Sequence, residues 1–247
     1  MKALPFPRKK LLIAGGMVLC VAAAFYASRS YYPYSRSLDS DPVQKTFVYD
    51  RLGERGSLSI SVPRSAITTE FGDIGDPGSR GSVTMTLITE TLQPYFPAFV
   101  QAVKAIREKD PDISAQKARA QASNNISKIT VTVRNRYFTP EHHGKEYYTN
   151  IIQDPDCKWQ PASGTELIEV LRVSECFHGP RGSKKLFFRE ADNALYPRIE
   201  CGFATCTLQL SFRKFEIKVG FDQAKREFWE VYQEKVTTYL EGAADRQ

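Results

Sequence analysis

Histidines, cysteines and paired carboxylates are where hydrolytic, redox or metal chemistry would sit in this chain. It has three histidines, His142, His143 and His178. Adjacent side chains on an extended stretch point to opposite faces, so His142-His143 reads as a solvated turn rather than as two ligands of one metal. His178 stands beside Gly179-Pro180-Arg181-Gly182, a loop sequence, and its use with Cys176 as a nucleophile would need a reduced thiol. No Gly-x-Ser-x-Gly elbow or Ser-x-x-Lys stands with supporting context. The glycine-rich stretch Gly72–Gly81 lacks the Gly-Lys-Ser/Thr ending of a phosphate-binding loop and reads as a turn-forming loop. Asp154/Asp156 and Glu166/Glu169 have spacings open to acid–base work, yet 28 acidic residues make such pairs unavoidable. The expectation is no catalytic residue, no metal site and no small-molecule cofactor.

Five cysteines divide by position. Cys20 lies in an apolar segment, and Cys157, Cys176, Cys201 and Cys206 lie in the body. An even number in an exported body reads as two disulfides, with three connectivities open. Cys157–Cys176 and Cys201–Cys206 are favoured because they join near neighbours. The first would close a loop of about twenty residues, worth on the order of 3 kcal/mol. A zinc site would normally show two short paired spacings, which these cysteines lack.

The amino terminus sets the expected compartment. Leu11 to Ser28 is eighteen residues without a charge, preceded by Arg8-Lys9-Lys10. That length is near the lower limit for a membrane-spanning helix, and the basic flank keeps the amino terminus cytoplasmic. The alternative is a signal peptide cut after Ala24 of Ala22-Ala23-Ala24. Either way the body is exported, and the anchor reading makes this a single-pass protein of a bacterial inner membrane with a periplasmic body. Lys2, Arg8, Lys9 and Lys10 account for four of the 34 basic residues, which leaves 30 against 28 acidic ones. So balanced a body argues against nucleic acid as a partner.

The elements that must position any site follow from periodicity. Residues 29–43 are polar and read as a linker, with one folded domain over 44–247. Leu58, Ile60 and Val62 alternate with serines, and Val83, Met85 and Leu87 with threonines, as half-buried strands do. Phe96, Phe99, Val100, Val103 and Ile106 predict a helix. Asp110-Pro111 predicts the cap of a second helix carrying Ala115, Ala118 and Ala122. Strands return at Ile129–Val133 and over Glu166–Val173. Near the carboxyl end, a two-residue turn at Arg213-Lys214 would pair Phe212 with Phe215, Leu210 with Ile217 and Leu208 with Val219 on one face. A helix over Asp222–Leu240 can cover that face. The predicted class is α+β with a mainly antiparallel sheet and packed helices, behind one amino-terminal transmembrane helix.

The basic-apolar amino terminus, the strand Ser57–Val62 running into Pro63-Arg64-Ser65-Ala66-Ile67, the stretch Tyr196–Cys201 with Cys206-Thr207, and the final Phe228-Trp229 helix together resemble a known group. These are envelope proteins encoded beside type VI secretion effectors, immunity proteins against toxins that act in the periplasm. The resemblance implies a compact domain that covers a toxin's active site and carries no catalytic residues. The expected function is thus a membrane-tethered periplasmic binding protein that neutralises a secreted effector. The alternatives are a single-pass envelope scaffold or assembly factor, and an envelope hydrolase with unrecognised residues. Aromatic and arginine residues anchor tight interfaces, so Tyr147, Tyr148, Trp159 and Arg181, in irregular stretches, are the candidate partner contacts. Arg181–Lys185 with Phe187 and Phe188 offers at most a local anionic-surface patch.

Overall fold

The computed structural model describes residues 38–51, 53–163, 165–171 and 185–244. The expected membrane segment Leu11 to Ser28, Cys176, His178 and Arg181 lie outside them. Among the described residues, no helix is long and apolar enough to cross a membrane. The architecture is α+β, and every pairing among the described strands is antiparallel.

Strands β1 (Pro42–Arg51) and β2 (Glu54–Pro63) form a separate hairpin. Folded structure therefore begins inside the stretch expected to be linker, and the backbone carbonyls of Asp39 and Asp41 accept from Ser65 and Arg64. Tyr49 pairs in register with Gly56, where a Cβ would lie 2.6 Å from the tyrosine ring. Glycine leaves room there for the ring to lie across the neighbouring strand. β3 (Ile67–Phe71), β4 (Ser82–Ile88), β5 (Lys128–Tyr137), β6 (Trp159–Pro161), β7 (Leu167–Val170), β8 (Lys185–Ala191), β9 (Ala194–Cys201), β10 (Thr205–Phe212) and β11 (Phe215–Asp222) make one sheet. Its order is β3-β4-β5-β11-β10-β9-β8-β7-β6.

The carboxyl-terminal hairpin has the expected register: Phe212 faces Phe215, Leu210 faces Ile217 and Leu208 faces Val219. Arg213 and Lys214 both take positive φ (48° and 64°), the twist a two-residue hairpin turn requires. Its apolar face joins Met85, Val131 and Val133 of neighbouring strands in the main core. The β1–β2 hairpin lies over that core, with Phe47 and Tyr49 edge-on to Phe215. Helix α4 (Trp229–Ala243) joins it through Trp229, Tyr232, Val236 and Leu240. The Asp222 carboxylate caps the preceding turn by accepting from Ala224 N at 2.9 Å.

Helices α1 (Tyr95–Lys109) and α2 (Ala115–Asn125) lie between β4 and β5 in the chain and pack on each other. Ser114, not Asp110, caps α2, its hydroxyl accepting from Lys117 N. The Asp-Pro pair instead sits in the connecting turn, where the Asp110 carbonyl accepts from Ile113 N. Helix α3 (Lys145–Ile151) adds a second, smaller core with Tyr147 and Ile151 against Ile168, Val170, Leu186, Phe188 and Leu195. Phe187 enters the main core and Phe188 the second, so this part of the sheet is covered on both faces. The expected patch around Phe187 and Phe188 is corrected accordingly: both rings are interior.

His142 and His143 also depart from expectation. They lie in a wide helical turn over Pro140–Gly144, not on an extended stretch. His143 is buried, stacked on Phe138 at 4.4 Å, because the turn folds its ring inward.

Candidate functional site

The face of β5, β11 and β10 turned away from the main core carries a polar network. Glu216 on β11 is fully buried. Its carboxylate accepts from Arg134 Nη1 at 3.4 Å and from the Gln209 side-chain amide, with Arg136 Nη1 at 3.6 Å and Lys218 Nζ at 3.8 Å. Gln209 in turn accepts from the Tyr147 hydroxyl at 3.4 Å. A buried carboxylate is sustained only by such pairing. Burial pushes the Lys218 ammonium below its ordinary pKa, Glu216 opposes that shift, and Arg134 and Arg198 add to it.

A register shift in β5 sets this arrangement. Tyr137 faces Phe215, but Arg134 faces Glu216, leaving Asn135 and Arg136 without partners in the β11 ladder. Such bulges re-aim side chains. Here Arg134 and Arg136 line a pocket of about 500 Å³ together with Arg51 from the end of β1, Arg80, Asn135 and Phe71. No acidic side chain is among the lining residues. The Gly72–Gly81 loop shapes its wall and behaves as read, as a turn-forming loop. Gly81 must lack a side chain, since a Cβ would lie 2.5 Å from the Asp73 carbonyl oxygen.

At the opposite end of the sheet, Cys201 and Cys206 face each other across β9 and β10 in a disulfide, the expected pairing. Cys157 is also disulfide-bonded, and Cys176, its expected partner, lies outside the described residues. The Cys201–Cys206 loop holds Phe203 with 95% of its surface exposed. Gly202 N donates to Thr205 O at 2.8 Å, and Gln223 N to Ala204 O at 3.0 Å. The Gln223 side-chain nitrogen, assigned from its surroundings, donates to the carbonyls of Gly202 (2.8 Å) and Phe203 (2.7 Å). The ring is thus presented on a fixed backbone.

Among the expected contact residues the structure describes, Tyr147, Tyr148 and Trp159 do not converge on either place, and Arg181 lies outside the described residues. Tyr147 is buried in the second core, Tyr148 packs partly against it, and Trp159 is exposed on edge strand β6. Sequence reasoning passed over Phe203, whose signal is an aromatic residue inside a short Cys-to-Cys loop. It also passed over Arg134-Asn135-Arg136, where the alternation of Ile129, Val131 and Val133 ends in charge. Among the described residues no group of three or more His, Cys, Asp or Glu side chains is arranged to hold a metal.

No family model matches the chain, and no curated protein matches its sequence. Among solved structures it is similar to an immunity protein of the Stenotrophomonas maltophilia type IV secretion system, at 12% identity and a TM-score of 0.45, covering 84% of this chain and 94% of that one.

Proposed function

We propose that this chain is an exported, membrane-tethered binding protein that neutralises a secreted antibacterial effector, and that Phe203 is its principal contact. The observation that carries the reading is a phenylalanine 95% exposed on a loop closed by a disulfide. Burying such a ring against a partner is worth about 1.5–3 kcal/mol. A loop already fixed by its cross-link and hydrogen bonds spends little of that gain on ordering. Aromatic anchors of this kind dominate tight interfaces. The disulfide fits an oxidising compartment, and a tether through Leu11 to Ser28 would hold the binder where injected toxins arrive. The effector belongs, on the resemblance given above, to contact-dependent injection of the type VI kind.

The test is growth competition on a surface between the parent strain and a deletion strain, with and without a working contact-dependent secretion system. The deletion strain is expected to die only beside siblings able to inject. Complementation with the natural chain should restore growth, and complementation with Phe203→Ser should not, at unchanged thermal stability. Equal growth of the deletion strain in both settings would overturn the reading.

A further inference from the structure

We infer that the arginine-lined pocket at the β4–β5 end of the sheet is a binding site for a phosphate ester that also carries a free hydroxyl. It is a different place from the Phe203 loop and stands independently of the effector-binding reading.

Four arginines, Arg51, Arg80, Arg134 and Arg136, line about 500 Å³, a volume suited to a small ligand. Arg134 and Arg136 share the single carboxylate of Glu216, and Glu54, which faces Arg51 across the β1–β2 hairpin, is taken up by Lys214. Arg51 and Arg80 make no ion pair among the described residues. The nearest acidic side chains of the loop are directed to their own backbone, Asp73 accepting from Gly75 N and Asp76 from Gly78 N, each at 2.9 Å. Four positive groups against one buried carboxylate call for an anion of more than one charge. Planar guanidinium forks match phosphate oxygens in pairs.

Asn135 adds the second requirement. It is buried, its amide nitrogen donates to Asp76 O, and its backbone N donates to Gly81 O at 2.8 Å. Its Oδ1 is buried without a partner. A buried acceptor in the pocket lining that no protein group satisfies is met by a donor on the ligand, which a bare oxyanion does not supply and a hydroxyl does. Phe71, half exposed, offers the carbon skeleton an apolar wall. A polyol or sugar phosphate has all three parts, whether as a soluble ester or as the headgroup of a glycerol-based lipid.

The test is calorimetric titration of the full chain with glycerol phosphate, methyl phosphate, hexaglutamate and the soluble short-chain lipid dihexanoyl phosphatidylglycerol. Glycerol phosphate is expected to bind at least threefold more tightly than methyl phosphate. The double variant Arg51→Gln/Arg80→Gln, which removes no ion pair, is expected to weaken glycerol phosphate at least tenfold at unchanged melting temperature. Tighter binding of the short-chain lipid than of glycerol phosphate, lost in the double variant, would place the ligand in a lipid headgroup, and tighter binding of glycerol phosphate would mark a soluble source. Equal affinity for the two esters, tighter binding of hexaglutamate, or an unaltered double variant would each overturn the assignment.

Discussion

A carboxylate without solvent contact survives only where neighbouring charges and donors replace water, and Glu216 has Arg134, Arg136, Lys218 and Gln209 to do so. His143 is the opposite case, a titratable ring buried without a carboxylate against it. Burial pushes its imidazole below the ordinary 6.5; the Thr139 backbone opposes that, His142 and Arg136 add to it, and Glu146 opposes. The unfolded chain takes up the proton near 6.5 while the folded chain resists it. Stability is therefore complete above that value and falls as the pH drops from it toward the depressed folded value. Chemical denaturation at about pH 7.5 and about pH 5 should show this loss in the natural chain and a smaller one in His143→Phe, which keeps a ring on Phe138. Equal losses in both would place the acid sensitivity elsewhere. Neither residue's burial was readable in the sequence: adjacency predicts a solvated histidine pair, and only the wide turn over Pro140–Gly144 carries His143 inward. Glu216 alternates with apolar residues as a solvent-facing residue would, and nothing local announces that Gln209 and two arginines enclose it.

At the scale of elements, strands with one apolar and one polar face were legible and strands with two apolar faces were not. Phe212 through Phe215 gave its register because polar residues alternate on both arms. β8 carries Leu186-Phe187-Phe188, a continuous apolar run that serves a core on each side, and a period-2 pattern cannot find it. β1 escaped because its buried set is only Phe47 and Tyr49, with Val43 partly buried beside them, amid charged and polar residues. The same hairpin β10–β11 carries a local conflict. Arg213 occupies a left-handed conformation at φ 48°, which costs a non-glycine residue about 1 kcal/mol. Its guanidinium lies 5.5 Å from the Phe212 ring, a contact worth about 0.5 kcal/mol when exposed. Relief of that strain exceeds the loss of this ring contact, and on these two terms Arg213→Asn should stabilise the domain by about 0.5 kcal/mol, read as a rise in Tm of about 1–2 °C. A fall in Tm would show that the arginine contacts exceed the strain.

Across the whole molecule, sheet order follows from contacts remote in sequence: Glu216 meets Arg134 across 82 positions, and no local pattern encodes that pairing. What the sequence does encode is how unevenly the layers are covered. β5, β10 and β11 lie at the centre of the nine-stranded sheet, under the β1–β2 hairpin and α4, and contribute Val131, Leu208, Ile217 and Val219 to the main core. Helix α1 contributes no buried residue, and α2 only Ala118 and Ala122. Helices hold their hydrogen bonds through the face they bury more than through propensity. The α1–α2 excursion should therefore open while the sheet stays intact, as a separate unit of lower stability. Native-state hydrogen exchange is expected to give α1 amides an opening free energy at least about 2 kcal/mol below that of β5 and β11 amides. Mild denaturant should leave that opening nearly unchanged while the strand values fall, because a local opening exposes little surface. If α1 amides instead exchange with the strands' free energy and denaturant slope, the excursion is held as tightly as the sheet, and Phe96 and Phe99 bind the core more strongly than their half-burial implies.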